Sequence, residues 1–251
     1  MINKTDTEEF IEYFKKEKSF TANDVYHFFN NIRQGIKRST VNWRIYNYIQ
    51  QGILRRVGRG VYITGESRNF TPVQDEKQKI IAFQIKKQFP FATFCSWRLS
   101  ILKELFQHVP AINFLIVEVE KDSLDAVFHF LKESKKNTFK EPSKNIVEDF
   151  VCGTDTAIVV KTMISESPVL QIDGITIPAL EKILVDLYIE RDIFYFLQGI
   201  ELLNVFKNAA GKYTINRNKM LRYAKRRGKE TEIENILMQI NGNNLQKLTI
   251  I

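Results

Sequence analysis

Cysteine is scarce: Cys95 and Cys152 are the only two, and they stand far apart. That excludes a disulfide-stapled scaffold and points to a reducing interior. No uncharged apolar run, that around Ile112 to Val117 included, approaches the roughly 20 residues a membrane-spanning helix needs. The opening Met1 to Asp6 lacks the apolar core of a signal peptide, so a cytoplasmic location without membrane association is expected. Neither a Gly-x4-Gly-Lys-Ser/Thr loop nor a Gly-x-Gly-x2-Gly fingerprint is present, which removes the commonest nucleotide-phosphate cradles. The three histidines, His27, His108 and His129, stand alone, with no second histidine or cysteine at metal-ligand spacing. Neither a metal nor a cofactor is expected.

What is present is an ordinary globular composition, 44% hydrophobic and 26% charged, in 251 residues. That length suits one large domain or two small ones. The net charge is +8, and it is unevenly spread. Residues 1–70 carry 12 bases against 7 acids, 71–170 carry 13 of each, and 171–251 carry 12 against 9. Within the first and last of these blocks the bases gather in stretches without acid, Arg33 to Arg59 with seven bases and Lys207 to Lys229 with nine. A polyanionic partner is the first inference.

The first seventy residues read as three helices and a hairpin. Phe10, Ile11 and Phe14 give Glu8 to Lys18 an amphipathic face. Thr21 and Asp24 form a capping pair ahead of a second helix that buries Val25, Phe28 and Phe29. Asn30 to Gly35 reads as a turn, and a third helix runs from Ser39 or Thr40 to about Gln51, ended by Gly52. Ile53 to Val57 and Val61 to Ile63, joined by Gly58-Arg59-Gly60, make a hairpin. Three helices then a basic hairpin is the order of a winged helix-turn-helix, whose third helix enters the DNA major groove. With Val41, Ile45 and Ile49 turned inward, Thr40, Asn42, Trp43, Arg44 and Asn47 are expected to face bases. Arg38 is expected among the DNA-binding residues, and Arg55, Arg56 and Arg59 are expected to hold phosphates or the minor groove from the wing. The plainer alternative is a solvated basic helix with Trp43 in the core.

Beyond Pro72 the pattern becomes mixed. Helices are expected over Glu76 to Lys87, Ser96 to Phe106 and Asp122 to Lys132, strands over Ile112 to Val119 and Thr156 to Met163, a polar loop over Lys135 to Lys144 and a hairpin over Gln171 to Ile177. Helices follow at Pro178 to Tyr188, Phe194 to Phe206, Arg217 to Arg227 and Glu230 to Ile240, with a turn at Gly211. The expected class is α+β: a winged helix over 1–70, then a mixed α/β domain over 71–251 with a helical part at about 178–240. Chemistry is thin here. Gly153-Thr154-Asp155 matches the start of a nucleotidyltransferase site without its paired carboxylates, and Asp75-Glu76-Lys77 and Glu133-Ser134-Lys135 match only half of a nuclease pattern.

The run Ile177-Pro178-Ala179-Leu180-Glu181-Lys182-Ile183-Leu184-Val185-Asp186-Leu187-Tyr188, with Gly199-Ile200-Glu201-Leu202, Tyr213-Thr214-Ile215-Asn216 and Leu221-Arg222-Tyr223-Ala224-Lys225-Arg226-Arg227-Gly228, resembles the C-terminal part of the AbiE-type abortive-infection antitoxins. The stretch from Gly52 to Tyr62 is similar to the wing of that family's DNA-binding domain. The resemblance implies the antitoxin of a type IV toxin–antitoxin module in phage defence. Such a protein represses its own promoter and counteracts a nucleotidyltransferase-like toxin encoded beside it. By position it implies antitoxin roles for Glu181, Lys182, Asp186, Tyr223, Arg226 and Arg227. A plainer reading makes Glu181 and Asp186 helix-surface ion pairs and Tyr223 a core residue. Operator DNA, bound as two copies, and the toxin are the expected partners. Two rival classes stay open: a nucleic-acid-processing enzyme delivered by a winged helix, and a ligand-sensing transcription factor.

Overall fold

The computed structural model describes residues 4–65, 69–108 and 110–246. The chain divides into two compact units, one of Met1–Phe70 with Lys212–Asn218, the other of Thr71–Gly211 with Lys219–Ile251.

In the first unit the order is α1 (Lys4–Phe14), β1 (Phe20–Thr21), α2 (Ala22–Ile32), α3 (Arg38–Gln50), β2 (Leu54–Gly58) and β3 (Val61–Thr64). The strands form an antiparallel sheet in the order β1-β3-β2. This is a winged helix. Thr21 and Asp24 start α2 with a reciprocal cap: the Asp24 amide donates to Thr21 Oγ1, and the Thr21 amide to Asp24 Oδ2. At the end of α3, Gly52 takes a φ of +72°. There its amide donates to the Ile49 carbonyl and that of Ile53 to the Tyr48 carbonyl, the paired closure of a Schellman motif. The core is aromatic: Phe10, Phe14, Phe20, Phe28, Phe29 and Tyr48 pack with Val25, Val41, Ile45 and Leu54, and Phe10 stacks on Phe29.

The second unit starts with α4 (Glu76–Gln88), capped by Asp75, whose carboxylate accepts from the Gln78 amide. A four-stranded sheet follows, built from β4 (Phe94–Arg98), β5 (Leu115–Val119), β6 (Thr138–Lys140) and β7 (Ile158–Thr162) in the order β4-β5-β7-β6. The first pair is antiparallel and the other two pairings are parallel. Between β5 and β6 runs α5 (Leu124–Ser134); between β6 and β7 a short turn, α6 (Lys144–Ile146), continues into a π-helical turn over Val147–Val151. A hairpin of β8 (Val169–Ile172) and β9 (Ile175–Pro178) leads into α7 (Leu180–Ile189), α8 (Ile200–Lys212), α9 (Arg217–Arg226) and α10 (Glu230–Gln246).

Side-chain alternation divides the sheet's two faces. Leu115, Val117 and Val119 of β5, with Ile158 and Val160 of β7, face Ile81 and Ile85 of α4 and Leu124, Val127 and Leu131 of α5. On the opposite face Cys95, Glu118 and Lys161 stand side by side in register, and α7 covers them. Every residue of α7 from Leu180 to Leu187 is buried, so the helix is central.

The α+β class holds, with a winged helix first and a helical C-terminal part, whereas several element assignments change. The helix expected over Ser96 to Phe106 is the end of strand β4 followed by a 3-10 helix, Leu99–Leu105. The polar stretch Lys135 to Lys144 contains edge strand β6, where Thr138 is buried and Lys140 is exposed. Pro178 closes β9 rather than opening a helix, and Gly211 lies inside α8 rather than in a turn. Among the described residues no helix is long and apolar enough to cross a membrane.

Candidate nucleic-acid interface and a buried ion network

Helix α3 presents one mixed face to solvent. Thr40, Asn42 and Trp43 are exposed, Trp43 at 54%, so that indole is not a core residue. Tyr46, which the sequence reading passed over, stands 60% exposed on the same face, four residues after Asn42 and three after Trp43. Arg44 corrects the expectation. It is 9% exposed, Nη1 reaches Asp6 Oδ2 at 3.2 Å, and its guanidinium lies over the Phe29 ring. The reason is spacing: position 44 is three after Val41 and four before Tyr48, within the buried stripe. Asn47 is half-buried with its amide nitrogen inside, so it too leaves the reading face. Arg38 is exposed, donating to Asn23 Oδ1 at 3.1 Å and lying over Tyr26, which fixes its head at the start of α3. No acid occupies that first turn.

The wing follows from its glycines. Gly60 has a φ of +68°, and the register shifts between Arg56 and Gly58, a bulge that twists the hairpin tip. Arg59 is exposed there, and exposed Arg56 donates from Nε to the Gly58 carbonyl at 3.1 Å. Arg55 is half-buried across from Ile63.

In the second unit, four of the six residues implied by the resemblance meet in one buried network. Lys182 Nζ donates to both Glu118 oxygens, at 2.7 and 2.6 Å, and to Asp186 Oδ2. The Tyr223 hydroxyl and Arg227 Nη1 each donate to Asp186 Oδ1 at 2.8 Å. Arg227 also reaches Glu190 Oε1 at 3.0 Å, and Lys161 joins Glu190 at 2.6 Å to Glu118 at 3.2 Å. Trp97 Nε1 closes the set on Glu118. Three carboxylates face three cations, so the cluster is neutral. Neither α7 carboxylate is a plain surface pair: Asp186 is 1% exposed and Glu181 7%. Glu118, Lys161, Glu190 and Trp97 were missed by sequence reading. The one available signal was a lone Glu inside the apolar run of β5 and a lone Lys inside that of β7.

Burial alone would raise the Glu118 carboxyl, but Lys161 and Lys182 beside it, with donors from Lys182 and Trp97, bring it down to about 2. Burial also works against the charged forms of Lys161 and Lys182, and the neighbouring carboxylates override it, so both ammonium groups stay protonated. Glu190 goes the other way: burial, then the charges of Asp186 and Glu118, raise its carboxyl despite Lys161. Burial likewise pushes up the Cys95 thiol and the Tyr223 hydroxyl. The network's outer end, Lys161, Glu190 and Arg227, borders a cavity of about 420 Å³ that Glu141, Arg191 and Asp192 also line.

The other two implied residues lie apart from this cluster. Glu181 is buried with Lys219 Nζ at 4.0 Å, and exposed Arg226 pairs with Glu166. Asp155 is an exposed partner of Lys77. Among the described residues no group of three His, Cys, Asp or Glu is placed to hold a metal ion.

The profile of a family described as "Family of unknown function (DUF6577)" matches residues 40–243. The chain belongs to DUF6577. The DUF6577 match begins inside α3 and takes in Asn42, Trp43 and Tyr46, the wing, and the whole buried network. No curated protein matches the chain.

Proposed function

We propose that this protein is a non-enzymatic DNA-binding regulator that represses its own promoter and serves as the antitoxin of a two-gene phage-defence module in the cytoplasm. One observation carries the DNA half: the solvent face of α3, with Asn42, Trp43 and Tyr46 exposed, stands in a winged helix whose wing bears Arg55, Arg56 and Arg59, in a segment without acids. Asn pairs bidentately with adenine, aromatic rings and Thr40 meet thymine methyls, and arginines take phosphates. Two copies on paired half-sites, about one helical turn apart, suit such a module. The antitoxin half rests on the resemblance of α7 and α9 to AbiE-type antitoxins. The role of Lys182, Asp186, Tyr223 and Arg227 in it is to hold those helices in a fixed pose; Arg226, paired with Glu166, is the member at the surface.

The test is binding to DNA from upstream of the protein's own gene against random duplex. The wild-type chain should prefer the promoter, and N42A/W43A/Y46A should lose that preference by about 10- to 100-fold, since one bidentate pair such as Asn42 with adenine contributes roughly 1–3 kcal/mol of discrimination. Equal affinity of the wild type for both DNAs would overturn operator reading. Co-expression with the product of the adjacent gene tests the antitoxin half: rescue of growth by both wild type and N42A/W43A/Y46A is expected, and no rescue by wild type removes it.

A further inference from the structure

Helix α9 carries a basic surface that the winged helix does not use. Lys219, Arg222, Lys225 and Arg226 lie along one side at steps of three and four residues, lining a groove of about 640 Å³ with Glu166, Pro168, Val169 and Tyr223. Arg222, Lys225 and Arg226 are exposed. From Lys219 to Arg226 the four cations span about 10 Å of helix, a stretch over which duplex DNA offers about six phosphates. Among the described residues Lys225 pairs with Glu230, at 4.0 Å. We infer that this groove is a second nucleic-acid contact, which holds phosphates without reading bases and is independent of the α3 reading.

One feature favours phosphates over an acidic protein segment. Protein interfaces centre on buried apolar and aromatic anchors and are depleted in lysine. Here the one aromatic in the groove, Tyr223, is buried and engaged with Asp186, and Pro168 and Val169 are half-buried, so the accessible chemistry is charge. That the site takes an anion is shown by its internal occupant. Glu166 holds a φ of +54°, the left-handed region that residues other than glycine rarely adopt, and its carboxylate sits on Arg226. A phosphate entering the groove competes with that carboxylate.

The experiment is anisotropy of a labelled random-sequence duplex with the full chain over a salt series. R222A/K225A should weaken binding at least tenfold at low salt. It should also lower the slope of log affinity against log salt by about 2, at roughly 0.9 per lost phosphate contact. E166Q should tighten binding several-fold, an outcome that unfolding cannot imitate. In N42A/W43A/Y46A, promoter preference goes while the random-duplex slope stays, which separates this surface from the reading helix. Unchanged affinity and slope in R222A/K225A overturn the proposal. So does polyglutamate binding that needs Arg222 and Lys225 while DNA binding does not, because the groove then serves an acidic protein.

Discussion

At the residue scale, Glu118 is the group on which the second unit's acid response turns. Its carboxyl sits at about 2 in the folded chain against an ordinary 4.5, so the ionised form is favoured by folding. The stability this supplies is complete above pH 4.5 and is lost as pH falls from 4.5 toward 2. Glu190, whose carboxyl is raised, acts in the opposite sense: protonating it as pH falls relieves a cost and partly offsets the loss. Stability measured by urea denaturation should therefore fall across that window in the wild type. In E118Q, though less stable at neutral pH, the fall should be shallower. Parallel acid limbs would show that Glu118 is not the group responsible. Arg44 gives the complementary lesson. An arginine in a basic helix reads as a DNA ligand, and only three-dimensional placement shows it serving as the counter-ion of Asp6 and a lid on Phe29.

At the scale of elements, the joint between α3 and the wing depends on Gly52. A side chain there must enter the left-handed region, at about 1–2 kcal/mol for an L residue. Gly52→Ala should lower the stability of the first unit by about that amount, read by thermal unfolding, and a change below a few tenths would show that the joint relaxes. Elements with strong local signals were legible: the Thr21 cap, the stripe of α2, the Gly58-Arg59-Gly60 tip and the apolar strands β5 and β7. Those whose identity depends on neighbours were not. Strand β4 merges into a 3-10 helix whose leucines imitate helical spacing, and β6 has three residues at a sheet edge, with too little burial to leave a pattern. Helix α7 looked one-sided because Glu181, Lys182 and Asp186 are charged; its remaining faces are buried against ions, which hydropathy alone does not register.

At the scale of the molecule, the excess positive charge divides among three tasks. Arg38, Arg56 and Arg59 stay exposed on the winged helix, Arg222, Lys225 and Arg226 on α9, while Arg44, Lys161, Lys182 and Arg227 are consumed inside as counter-ions. Net charge therefore overstates what is offered to a partner. Lys182→Met leaves Glu118 and Asp186 without their central cation and should cost about 3–5 kcal/mol. Arg44→Ala leaves Asp6 unpaired and uncovers Phe29, at about 1–3 kcal/mol. The two residues belong to different units and share no partner, so in the double variant the losses should add within about 0.5 kcal/mol. Coupling well beyond that, measured by chemical denaturation, would mean that the units do not unfold as separate blocks.

The pairing of Glu118 with Lys161 across β5 and β7 also bears on how the sheet finds its alignment. Runs such as Leu-Ile-Val-Glu-Val and Ile-Val-Val-Lys-Thr are apolar on both faces, so hydrophobicity by itself scarcely distinguishes one alignment of the strands from the next. Sliding either strand by one residue turns its single charge to the other side. Glu118 or Lys161 would then sit among the leucines and valines beneath α4 and α5, with no opposite charge within reach. Two ionised side chains thus penalise every odd slip, a restriction that an all-aliphatic pair of strands would lack.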